Sequence, residues 1–62
     1  MAFYDPSKIT ENDKKLIEQA EQISRWRYRD IDPLIDRAES DEARRYLFDL
    51  RWLLYDSVME SL

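Results

Sequence analysis

Apolar positions are densest at the C-terminal end, in Ser40 to Leu62, SDEARRYLFDLRWLLYDSVMESL. Placed at about 100° per residue, Ala43, Tyr46, Leu47, Leu50, Leu53, Leu54 and Val58 share one side at the i, i+3, i+4, i+7 spacing of a core-facing stripe. Phe48, Trp52, Tyr55, Met59 and Leu62 make a second stripe, rotated by more than a quarter turn, with Arg44 and Arg51 on the seam between the two. Only Arg45, Asp49, Asp56 and Glu60 hold a polar face. A helix apolar over most of its circumference is buried over most of it. The pattern therefore predicts a helix over 41–61 whose second stripe needs a cover.

Upstream, Thr10-Glu11-Asn12-Asp13 reads as a helix start, with Thr10 as N-cap and two acids in the first turn, where the helix dipole favours them. Leu16, Ile17, Ala20, Ile23, Tyr28 and Ile31 trace one apolar face, and Glu11 with Lys15 and Glu21 with Arg25 are acid-before-base pairs on the other side. This predicts a first helix over 10–31, about 30 Å long. Asp32-Pro33 is its expected end, because the residue before a proline is pushed out of the α region and proline donates no backbone bond. Asp32 is then the expected cap of a short connecting helix over 33–39, carrying Leu34, Ile35 and Ala38, and Ser40 the cap of the last helix. A kink at Pro33 within one longer helix is the alternative. In both cases the chain reverses between Asp32 and Ser40, giving an all-α antiparallel helical hairpin. Residues 1–9, with Phe3, Tyr4 and Ile9 around Asp5-Pro6, form a leader that either packs on the body or has no structural consequence.

Length changes this picture. The 62 residues make a single domain at most, and a chain this short buries only about 60% of the surface its unfolded form exposes. Scaffolds of this size need disulfides, a metal, unusually good packing or association. There is no Cys and no His, which removes a disulfide framework and the usual zinc and haem ligands. No metal and no cofactor is expected. Packing and association remain, so the hairpin is expected to form a homodimer resembling a four-helix bundle.

The net charge of −4, from 14 acidic and 10 basic residues, argues against general affinity for nucleic acid or anionic membrane, both of which bind cationic surface. The start MAFYDPSK lacks a basic region followed by an apolar run, and no window approaches the length of a membrane span. A cytoplasmic protein is the expectation.

Three groups of residues are candidate sites. Arg25-Trp26-Arg27-Tyr28-Arg29 interleaves cations and aromatics. This could stack bases and neutralise phosphates, or it could be the last turns of a helix, where cations complement the dipole. On a continuous helix Arg25 and Arg29 face outward beside Trp26, and Arg27 falls in the apolar face, a candidate for a buried ion pair that fixes register or for a snorkelling head group. Phe48, Trp52, Tyr55 and Met59, edged by Arg44 and Arg51, are the candidate protein interface. Trp, Tyr and Arg are enriched at interface hot spots while Lys is depleted, and the chain has seven Arg against three Lys.

Catalysis has little support. Only dispersed carboxylates are available as acids or bases, the Glu-x-x-His di-metal motif cannot occur without His, and no Gly-rich phosphate loop can form without Gly. The sequence thus predicts a non-enzymatic regulatory or adaptor protein that assembles with itself and binds, and by expectation inhibits, a protein target. Size alone suggests an accessory product of a phage or plasmid. The alternative is an RNA- or DNA-binding dimer using Arg25, Trp26 and Arg29.

Overall fold

The computed structural model describes residues 3–62; Met1 and Ala2 of the expected leader lie outside the described residues. The chain is all-α. A 3₁₀ turn, Pro6–Lys8, precedes α1 (Glu11–Glu21). A 3₁₀ segment, Arg25–Ile31, then runs directly into α2 (Asp32–Arg37), and α3 (Asp41–Ser61) closes the chain.

Two of the three N-caps read from the sequence, Thr10 and Ser40, are present. Thr10 Oγ1 accepts from the Asp13 N–H, and the Asp13 carboxylate accepts from the Thr10 N–H, a reciprocal capping box. Ser40 Oγ accepts from the Ala43 N–H and starts α3. The Asp13 carboxylate also accepts from the backbone N–H groups of Glu39 (2.8 Å) and Ser40 (3.3 Å) and from the Ser40 hydroxyl (2.8 Å). One fully buried carboxylate thereby joins the starts of α1 and α3.

The helix expected over 10–31 ends at Glu21 instead. Ser24 is extended (ψ 149°) and its hydroxyl accepts from the Trp26 N–H, so it caps the 3₁₀ segment. Locally, Ile-Ser-Arg-Trp-Arg-Tyr is a weak helix former, and a serine side chain competes for backbone donors. The deciding factor is the core. Leu16, Ile17, Ala20, Ile31, Leu34, Ala38, Ala43 and Leu47 form one buried cluster. On a continuous helix Ile31 would stand about 21 Å from Ile17 along the axis, too far to share it. The turn at Gln22–Ser24 folds Ile31 back.

The short helix does begin at Asp32-Pro33, but without a break in the helical backbone. Ile31 and Asp32 both keep right-handed helical backbone (Asp32 φ −54°, ψ −46°), and Pro33 sits in the first turn of α2. Asp32 is not the cap of that helix; its carboxylate reaches α3 instead. The corner before α3 lies at Ala38–Ser40, where the chain becomes extended.

The order of pairing also differs from the expected hairpin. Asp13 meets Ser40, and the Glu21 carboxylate lies near the Tyr46 phenol, so α1 follows α3 in the same sense. The antiparallel partner of α3 is the stretch from Arg25 to Ala38. Arg25 bonds to Ser57, Asp32 to Arg51, and the Ala38 carbonyl to Arg44, with α3 numbers falling as the return segment's rise. The leader packs on this body: Tyr4 is edge-on to Tyr46 at 4.7 Å, Ile9 joins the core, and the Asp5 N–H donates to Glu42. In the inner stripe of α3, Ala43, Leu47 and Val58 are buried, but Leu53 stays 48% exposed. It lies beyond the part of α3 that the short α1 can cover.

Candidate functional site

Four rings run in a row along the outer side of α3 and across to the return segment. Phe48 and Trp52 are 6.1 Å apart, Trp52 and Tyr55 5.3 Å, and Tyr55 and Tyr28 5.4 Å, each pair edge to face. Spacings of four and three put the first three on one face of α3, and the 3₁₀ segment supplies Tyr28. Edge-to-face pairs contribute about 0.5–1.5 kcal/mol each beyond their buried area, so the row holds its shape at the surface. Phe48 and Trp52 nevertheless remain 50% and 44% exposed, and Met59 continues the exposed strip toward Leu62. Apart from Leu53 the inner stripe has found its cover, and most of the outer one has not.

The two seam arginines tie this face to its support. Arg51 is only 22% exposed, its Nε donating to Asp32 Oδ1 at 2.6 Å, and its guanidinium lies 5.2 Å from the Tyr28 ring and 5.5 Å from the Trp52 ring. This cation–π contact on both sides holds the middle of the row. Arg44 pairs with Asp41 and donates to the Ala38 carbonyl at 3.0 Å, satisfying the end of α2. Beside Phe48 the surface has two shallow depressions, of about 410 and about 380 Å³. Asp32, Ile35, Asp36, Arg51 and Trp52 complete the first, and Ile35, Asp41, Arg44 and Arg45 the second. An apolar centre with a charged rim is the anatomy of a protein interface.

The Arg25–Arg29 cluster is arranged differently from its helical projection. Arg27 is not in the apolar face. Its side chain is 75% exposed and forms a surface pair with Asp30 at 2.9 Å. The backbone leaves helical values there (φ −116°, ψ 30°), and beyond Ser24 the chain no longer follows the α-helical lattice on which Arg27 projected inward. Arg25 donates to Ser57 Oγ at 3.0 Å and lies 5.1 Å from the exposed Trp26 ring, while Arg29 lies 5.8 Å from the Tyr28 ring. An open crevice at the α1 break is lined by Gln19, Gln22, Ile23, Ser24, Arg27, Asp30 and Leu34, a mixed polar and apolar surface.

Among the described residues the one buried titratable side chain, Asp13, has a structural use. Burial acts to raise its pKa, but the donors from Glu39, Ser40 and Thr10 outweigh it and hold the carboxyl below the ordinary carboxylate value. Among the described residues no group of three or more potential metal ligands occurs, and no helix is long and apolar enough to cross a membrane.

The sequence pattern located Phe48, Trp52, Tyr55, Met59, Arg44 and Arg51 on or beside one surface, where the structure also places them. It missed Tyr28, Ile35 and Asp32, which complete that surface from other elements, and it missed the second role of Asp13. The Thr-x-x-Asp spacing signalled the capping box but not its reach to Glu39 and Ser40. No protein-family model, curated protein or solved structure matches the chain.

Proposed function

We propose that this chain is a small non-enzymatic regulatory or adaptor protein that acts by protein–protein contact through the outer face of α3. Phe48, Trp52, Tyr55 and Met59 form the contact surface, with Arg44 and Arg51 on its edge, and the chain self-associates as a dimer and modulates, by inhibition, a protein target. The single observation that supports this is the contiguous strip of Phe48, Trp52 and Met59, about half exposed, in a ring row held in fixed geometry by Arg51. A cytoplasmic location and an origin in a phage or plasmid belong to the same proposal.

Trp52→Ala tests it. The side chain is half in solvent, so the fold should survive, as judged by circular dichroism, while light scattering after size exclusion shows loss of the dimer or a pull-down shows loss of the target. A variant that keeps both would sink the proposal.

The alternative, nucleic-acid binding through Arg25, Trp26 and Arg29, is favoured by the exposed cation–π pair of Arg25 and Trp26. It is disfavoured by the net charge of −4 and by the engagement of Arg25 with Ser57 and of Arg27 with Asp30. Retention on single-stranded nucleic acid at low salt, weakening steeply as salt rises, would support the alternative.

A further inference from the structure

We infer that the occupant of the outer α3 face is a second copy of this chain laid antiparallel to the first, α3 against α3, with its direction set by the charges that flank the rings. This rests on the interaction role proposed above. At about 100° per residue, Phe48, Tyr55 and Met59 lie within about 60° of Trp52 around the helix, and so do Arg45, Asp49 and Asp56, with Arg44 and Glu60 at the margins. Asp41 also lies on this face but is paired with Arg44, so Arg45 is the unpaired cation near the beginning of the face and Asp56 and Glu60 are the unpaired anions at its end, Arg45 and Asp56 standing about 16 Å apart along the axis. Among the described residues Arg45, Asp49, Asp56 and Glu60 form no ion pair, although all four are exposed. The charges beside the rings are thus free to meet charges from outside.

A two-fold dimer with parallel α3 helices sets Arg45 level with Arg45 and Asp56 level with Asp56, and like charges held opposite each other oppose association. Turning one copy end for end brings the Arg45 end of each helix onto the Asp56 and Glu60 end of the other. Trp52, near the middle of α3, then lies close to the two-fold axis, where it packs against the other copy's rings. The same placement sets Met59 of the second copy over the depression lined by Ile35, Arg45 and Phe48. Asp49 meets an acid in both directions, its own counterpart in the parallel dimer and Asp56 of the second copy in the antiparallel one, so it does not discriminate between them. The interface uses one patch twice and closes on itself, so assembly stops at two.

Sedimentation equilibrium on the full chain tests this with charge variants whose side chains make no ion pair within the fold. Wild type should be dimeric at about 100 μM, as a Kd in the micromolar range requires. Arg45→Glu should weaken the dimer by about tenfold or more. Asp56→Arg combined with Glu60→Arg should weaken it similarly, and the triple variant carrying all three changes should regain wild-type affinity. Circular dichroism of each variant checks that the fold is kept. A wild type that stays monomeric overturns the inference. So does a dimer that the triple variant fails to restore, or one that the single-sign variants leave unmoved, and these last results leave the interaction role itself standing. That role falls with the inference only if wild type is monomeric and Trp52→Ala also leaves target capture unchanged.

Discussion

Asp13 shows how much one side chain can decide in a chain of 62 residues. It accepts from the backbone of Thr10, Glu39 and Ser40 and from the Ser40 hydroxyl, with nothing of it exposed. Asp13→Asn turns one acceptor oxygen into an amide donor that faces N–H groups, so urea denaturation should show a loss of about 3 kcal/mol. The pH dependence follows from the direction of its shift. A carboxyl held below its unfolded value of about 3.9 contributes stability that is fully present above that value and is lost as pH falls through the folded pKa. The urea midpoint of the wild type should therefore be insensitive to this group from neutral pH down to about pH 5 and fall below about pH 4. Asp13→Asn should lack that part of the acid limb. Arg27 is the contrasting case: its pair with Asp30 is largely in solvent, where such pairs contribute about 0–1 kcal/mol. Arg27→Leu should change stability by no more than about 0.5 kcal/mol, and a large loss in the same urea titration would contradict the exposed placement.

At the scale of elements, the junction of α1 with α3 and the return segment do different work. Ser40 caps α3 and at the same time donates to Asp13. Ser40→Ala should lower the thermal midpoint by the equivalent of about 1–2 kcal/mol. Combined with Asp13→Asn, its effect should be clearly less than additive in a double-mutant cycle, because the two side chains share one network. The return segment supplies Tyr28 to the ring row and Asp32 to Arg51, so the shape of the outer α3 face depends on a stretch that is not α-helical for most of its length. An unbroken first helix would have carried Tyr28 elsewhere and left Arg51 without its carboxylate.

Across the whole molecule, neighbouring positions on α3 separate stability from association. Leu47 is fully buried in the cluster shared by α1, α2 and α3, whereas Phe48, the next residue, is half exposed beside the two depressions. Leu47→Ala should cost about 3 kcal/mol, a large share of the roughly 3–9 kcal/mol a chain of this length commands. It should leave the protein partly unfolded near body temperature by circular dichroism. Phe48→Ala should stay within about 1 kcal/mol of wild type in the same measurement, since only half of the ring is removed from water. Its effect should appear in light scattering as a weakened dimer. The reverse pattern would mean that the outer face belongs to the core.

What the sequence determined alone is what local rules control. The all-α class, the Thr10 and Ser40 caps, the extent of the last helix and the sidedness of its inner and outer stripes all follow from groups a few residues apart, linked by hydrogen bonds or by helical periodicity. The tertiary structure decided where that periodicity stops. Ile17 and Ile31 share one core only if the chain turns at Gln22–Ser24, and that single demand ends α1 at Glu21 and moves Arg27 to the surface. It also makes Arg25–Ala38, rather than α1, the antiparallel neighbour of α3. Likewise, the surplus of arginine near the rings was visible in the chain, but that Arg51 is held by Asp32 and seated between Tyr28 and Trp52 required residues 19 apart to meet. Such meetings follow from which apolar side chains can be buried together, a property of the packed whole that no local pattern contains.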